Sequence, residues 1–170
     1  WSISDEAFMK SQTFFSDLKL RVSYGIAGND AVDPYSTSSY LSKIPFSYDD
    51  TNAAMAYAIG SQAGNKSLKW ELSATKNIGL DFGIIGNRIS GSIDYYDTKT
   101  KDLLLQRTLP TSSGVSTVVQ NVGKTRNRGI EVGINTTNIS TADFRWTSNI
   151  VYSRNKEEIV ELADGGATDV

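Results

Sequence analysis

Between Lys76 and Thr98 the chain alternates apolar and polar residues with a period of two, once on each side of Gly86-Asn87. Successive side chains of a strand point to opposite faces. In the first arm Ile78, Leu80, Phe82 and Ile84 share one face, with Asn77, Gly79, Asp81 and Gly83 on the other. In the second arm Ile89, Gly91, Ile93 and Tyr95 alternate with Ser90, Ser92, Asp94 and Tyr96. A two-residue loop at Gly86-Asn87 sets the register. It places Ile84 opposite Ile89, Phe82 opposite Gly91, Leu80 opposite Ile93 and Ile78 opposite Tyr95. The apolar positions of both arms then meet on one face, which a one-residue slip would destroy. Asp81 meets Ser92 and Gly79 meets Asp94 on the other face, while Phe82 covers the gap at Gly91.

The same period recurs along the chain. Leu18, Leu20, Val22, Tyr24 and Ile26 oppose Lys19, Arg21, Ser23 and Gly25. Ile130, Val132 and Ile134 oppose Glu131, Gly133 and Asn135. Trp146, Ser148, Ile150 and Tyr152 oppose Arg145, Thr147 and Asn149. The pattern predicts an all-β chain of five antiparallel strands, near 18–28, 68–85, 88–105, 123–137 and 144–154, with long loops at 29–67 and 106–122. Trp1-Ser2-Ile3 reads as the end of an earlier strand, and Ser4 as the N-cap of a short helix with Asp5 and Glu6 in its first turn. Ala53–Ile59 reads as a short helix or strand within the first loop. The segment 155–162 either extends the last strand or leaves it, and Glu157, Glu158 and Glu161 predict that it is solvated.

A sheet with one apolar and one polar face fits two architectures. A soluble sandwich turns the apolar face inward. An up-and-down membrane barrel turns it to lipid and the polar face to the lumen. Nearly forty residues of loop are abnormal in a compact soluble domain. Short turns alternating with long loops are what a membrane barrel predicts. Tyr24, Tyr95, Trp146 and Tyr152 lie near the ends of apolar faces, where an aromatic girdle belongs, although each also fits simple packing. Periodicity alone leaves both architectures open.

Composition removes several functions. Of 170 residues 17 are basic and 19 acidic, a net charge of −2, without the basic field of a nucleic-acid binder. There is no cysteine and no histidine, so Cys/His zinc sites, thiol nucleophiles and histidine bases are excluded. Ser112 and Ser113 therefore lack a base, and Glu157 and Glu158 face opposite ways on a strand. Asp30, Asp33, Asp49 and Asp50 lack the spacing of a calcium loop. No enzyme activity, cofactor or metal is expected.

Four strings in order carry a resemblance: LKLRVSYGIAGN (18–29), NKSLKWELSATKNIGLDFG (65–83), NRISGSIDYYDTKTKDLLL (87–105) and NVGKTRNRGIEVGINTTNI (121–139). They resemble the SusC/RagA-type, TonB-linked outer-membrane receptors, in the C-terminal part of the barrel. The resemblance implies a plugged transmembrane β-barrel of about 22 strands, of which this chain, a fragment without the plug domain, carries about five. It implies a multi-pass protein of the Gram-negative outer membrane, an active importer of oligosaccharides or peptides. The partners it implies are outer-membrane lipid, the protein's own plug, a SusD-like surface lipoprotein, and TonB through parts outside this chain.

On this reading Ile78, Leu80, Phe82, Ile84, Ile89, Ile93 and Tyr95 face lipid. Lys19, Arg21, Asp81, Asp94 and Glu131 face the lumen, to pair with one another or to meet plug or solute. Tyr35, Tyr40, Tyr48 and Tyr57 in the first long loop offer aromatic faces and hydroxyls to a sugar or peptide, or pack the loop. A soluble all-β binding module and a passive porin remain the alternatives.

Overall fold

The computed structural model describes residues 1–47 and 53–162. It contains ten strands: β1 (Phe15–Asn29), β2 (Leu41–Ser47), β3 (Ala53–Ile59), β4 (Gln62–Ala63), β5 (Glu71–Ile84), β6 (Ile89–Lys101), β7 (Leu104–Thr108), β8 (Thr117–Asn121), β9 (Lys124–Ser140) and β10 (Arg145–Glu161). Single 3-10 turns lie at Ala7–Met9 and Thr111–Ser113. The contacts divide the chain into two compact units. One holds residues 1–27, 73–99 and 125–160, and so the body of the five long strands. The other is built from 28–72 and 100–124.

The five long strands form one antiparallel sheet in the order β1-β5-β6-β9-β10, which is also their order along the chain. It is an up-and-down meander. Two short turns, at 85–88 and 141–144, close one end, and the two long connections leave from the other. Each strand has 13 to 17 residues, longer than the ~9–11 that a tilted strand needs to cross a bilayer.

The central hairpin follows from its turn. Gly86 and Asn87 have φ of 62° and 60°, and the Arg88 N–H donates to the Ile85 carbonyl at 3.2 Å. Positive φ at both central residues gives the turn whose twist matches that of paired strands, and Ile85 before them is left-handed as well, at 54°. The Thr75 and Thr98 hydroxyls meet at 2.9 Å on the polar face, in step with the register expected from the pattern. A Cβ on Gly91 would lie 3.1 Å from the end of the Phe82 ring and against the Gly133 carbonyl. The glycine thus leaves room for both.

The second unit contains two small sheets. β2 and β3 pair antiparallel from Leu41↔Ile59 to Ser47↔Ala53. β4, β8 and β7 form the other, with β4 parallel to β8 and β7 antiparallel to it. The first long connection is therefore not plain loop. Ala53–Ile59 is a strand rather than a helix, because LSKIPFS (41–47) supplies an edge to pair with, and pairing overrides the helix preference of its alanines. Ser4 does not cap a helix. The 3-10 turn starts after Glu6 without a side-chain cap, and the Ser4 hydroxyl instead donates to Asp17 at 3.4 Å. Trp1 to Ile3 do pair with β1, through Leu18 and Leu20.

Among the described residues no second layer covers the apolar face. Among the described residues the one buried apolar side chain is Val118, while Val22, Ile26, Ile78 and Ile150 are all more than half exposed. A soluble domain of this length buries most of its apolar side chains. The sandwich is not what these residues build.

Gly86→Val should destabilise the folded full-length protein by about 1–2 kcal/mol, since nothing crowds its Cβ and only the left-handed backbone objects. Gly25→Ala, also uncrowded, should stay within about 0.5 kcal/mol of the parent. Denaturant unfolding of both variants checks the pair.

Candidate functional site

Alternation on five parallel-lying strands sorts the chemistry by face. On the polar face Arg21 of β1 reaches across β5 to β6. Its Nε and Nη2 donate to the two oxygens of Asp81 at 2.8 Å each, and Nη2 also reaches Asp94 at 3.0 Å. Gly79 makes the reach possible, because a Cβ there would run into the Asp94 carboxylate and lie 2.7 Å from Arg21 Nη2. One guanidinium bound by two carboxylates leaves a net charge of −1 on the wall. The groups are partly exposed, so the pairing fixes geometry more than it adds stability. Lys19 and Glu131 share this face by alternation, and both are exposed. Among the described residues they join no ion pair.

Nearer the short turns the polar face carries a cavity of about 250 Å³. Ser90, Asn135, Thr137, Arg145, Thr147 and Asn149 line it, and Asn149 donates to Asn135 at 2.6 Å. It offers hydroxyls, amides and one guanidinium, with no carboxyl pair for acid–base chemistry.

On the opposite face Ile78 is 53 % exposed, Tyr95 45 % and Ile93 38 %, while Leu80, Phe82, Ile84 and Ile89 are shielded only in part. Beyond Tyr95 this same face turns charged. Arg126 donates to Asp97 through two bonds of 2.8 and 2.6 Å. Arg128 reaches Glu158 at 3.2 Å, and Lys156 pairs with Glu158 as well. The period of two, followed past Tyr95 to Asp97 and back from Ile130 to Arg128 and Arg126, is the signal that finds these residues in the sequence. The sequence reading stops at the apolar positions and misses them.

Among the described residues the loop tyrosines stand at two places. Tyr35 and Tyr40 line a small cavity of about 120 Å³ with Asp33, Ser36 and Gln62. Tyr35 is 82 % exposed. Tyr57 stands on β3 instead, with the Lys43 ammonium 5.9 Å from its ring centre. Tyr48, like Asp49 and Asp50, lies outside the described residues. Among the described residues no three acidic side chains gather as a metal site. Ser113 is spent on its own turn, donating to the carbonyls of Pro110 and Val115.

Two asparagines organise the connections instead. Asn121 Oδ1 accepts the Lys69 N–H at 2.7 Å. Its Nδ2 donates to the carbonyls of Lys69 at 2.7 Å and Asp102 at 2.8 Å. The amide thus extends the ladder past the end of β8. Asn65 Nδ2 donates to the Val119 carbonyl at 2.9 Å while its Oδ1 accepts from Ser67. Both open strings that carry the resemblance, NKSLKWE and NVGKTRN.

Comparison with known proteins agrees with this geometry. The family model "TonB dependent receptor-like, beta-barrel" matches residues 10–169. TonB-dependent receptor P3 of Formosa agariphila is 39% identical over 165 residues, covering 97% of this chain and 16% of the relative. TonB-dependent receptor SusC of Bacteroides thetaiotaomicron is 35% identical, covering 99% of this chain and 17% of its own length. A solved structure of the RagAB peptide importer in its "closed-closed" state matches with a TM-score of 0.85 and 30% identity, over 97% of this chain and 18% of that one. The chain thus spans about one sixth of the curated relatives it matches.

Asn121→Ala should remove three hydrogen bonds and cost about 2–3 kcal/mol locally. Asn121→Asp, though the same size, should rescue nothing, because its carboxylate faces two carbonyls. Limited proteolysis of the full-length protein, read at Lys101 and Arg107, should show faster cleavage in both.

Proposed function

This chain belongs to the β-barrel family of TonB-dependent receptors, and from that premise we propose that it is part of the wall of an outer-membrane active importer of nutrients. The observation that carries the reading is the uncovered apolar face, set back to back with a polar face that holds Arg21, Asp81 and Asp94. In a bilayer that division is stable, because hydrocarbon meets the apolar side chains and the strands pair their backbone groups with one another. Ile78, Leu80, Phe82, Ile84, Ile89, Ile93 and Tyr95 then face lipid. Lys19, Arg21, Asp81, Asp94 and Glu131 then line the lumen. The short turns at 85–88 and 141–144 lie on the periplasmic side, and the long connections outside.

The rest of the importer is supplied by parts beyond this chain. A plug fills the lumen and meets the wall's acidic cluster. TonB couples through the plug side. A SusD-like lipoprotein closes over the outer connections. The β2–β3 hairpin suits that contact, since Leu41, Met55, Tyr57 and Ile59 are exposed along one side of an otherwise marginal two-stranded sheet. The solute is an oligosaccharide or peptide. Likeness to SusC supports the lipoprotein partner, and likeness to the RagAB peptide importer favours a peptide within that pair. Tyr35 and Tyr40 are the loop residues placed to touch it.

The full-length parent should fractionate with the outer membrane, and its deletion should abolish growth on one class of oligomer as sole nutrient. Recovery as a soluble monomer without detergent would end the reading. Ile93→Arg should cost about 2–4 kcal/mol of folding free energy in lipid vesicles, while Ser92→Arg should cost under about 1 kcal/mol. Equal damage from the two would reverse the assignment of faces.

A further inference from the structure

The charged belt beyond Tyr95 has no part in moving a solute, because it lies on the face turned away from the lumen. Lys76, Lys99, Arg126, Arg128, Arg154 and Lys156 all fall on that face by alternation, against two carboxylates, Asp97 and Glu158. The chain as a whole is acidic, at −2, so this excess of cations is local. The carboxylates are already taken, Asp97 by Arg126 at 2.6 Å and Glu158 by Arg128 and Lys156. Among the described residues Lys76, Lys99 and Arg154 join no ion pair. Four of the five long strands reach the belt where their apolar runs end, after Tyr95 and Tyr152 and before Ile78 and Ile130. Charges in that position stand at the edge of the hydrocarbon, pointing at whatever surrounds the barrel. A neighbouring anionic headgroup satisfies them; water alone satisfies them less well beside lipid.

We propose that Lys76, Lys99, Arg128, Arg154 and Lys156 bind phosphate groups on lipid headgroups of the outer leaflet. The proposal rests on the orientation of the barrel given above. It differs from the assignment of lumen and lipid faces in naming a specific annular ligand and the residues that hold it. The two aromatic side chains seat the acyl chains below, and the guanidinium forks take the phosphates above.

The test uses the full-length receptor, extracted in mild detergent and exchanged with defined lipid. Native mass spectrometry reads retention of diphosphorylated lipid A, of dephosphorylated lipid A, and of lipid A in competition with inorganic phosphate. The parent should retain the phosphorylated lipid preferentially and resist competition by free phosphate. Lys76→Gln, Arg128→Gln and Arg154→Gln together should weaken retention by about fivefold per cation removed. Lys10→Gln, an exposed cation outside the sheet, should leave it unchanged. Should the triple variant fail to fold, Lys76→Gln alone carries the comparison. Undiminished retention in the variants, or equal retention of the dephosphorylated lipid, overturns the proposal; so does equal displacement by free phosphate, which would mark a simple anion site. A receptor absent from the outer membrane would instead sink the import reading itself.

Discussion

A single layer of sheet with no protein over its apolar face is the constraint from which the rest follows. Backbone N–H and C=O groups cannot be left unpaired in hydrocarbon, so each strand must lie against a neighbour along its whole spanning length. The meander β1-β5-β6-β9-β10 meets that requirement at the least cost in chain, with each strand beside its predecessor in the sheet. It leaves β10 with an open edge and β1 with an edge that Trp1–Ile3 cover only at Leu18 to Leu20. Such edges are a hazard in water and are removed in a barrel by further strands. The five strands make sense as one arc of a closed wall.

The same constraint explains where charges stand. On the polar face an arginine and two aspartates sit within the spanning part of three strands, held by one another and by the space that Gly79 leaves. On the apolar face no charge appears between Ile78 and Ile84, or between Ile89 and Tyr95. It returns only past the aromatic residues, where Asp97 meets Arg126 and Glu158 meets Arg128. Depth along the strand and parity of the residue number together decide which face of the sheet, and which level of it, a charged side chain occupies. Residue type alone says neither.

The long connections obey a different rule. They pair among themselves, with β2 on β3 and β8 between β4 and β7. Asn121 ties the end of β8 to backbone groups at Lys69 and Asp102, and Asn65 ties its own turn to Val119. These are structural amides within strings that otherwise read as strand entries. Of the loop tyrosines, Tyr35 and Tyr40 line a small cavity and Tyr57 stands on the β2–β3 hairpin.

Local pattern was enough for the alternation of the five long strands, but not for the short strands β2, β4, β7 and β8 in the connections, where loop was expected. Alternation depends only on the two-residue repeat of a strand, and the Gly86-Asn87 turn locks the register of the central hairpin, so Leu80, Ile93, Asp81 and Asp94 could be sorted before any coordinate was known. What pattern could not supply was anything that depends on residues far apart in the chain. The pairing of Ala53–Ile59 with Leu41–Ser47 overrides an ambiguous local preference. The convergence of Arg21 on Asp81 and Asp94 spans more than seventy positions, and the meeting of Arg128 with Glu158 joins two strands at a register that a bent hairpin sets. Such contacts are chosen by how neighbouring strands slide past one another. That offset is a property of the assembled sheet, to which no single stretch of sequence holds the key.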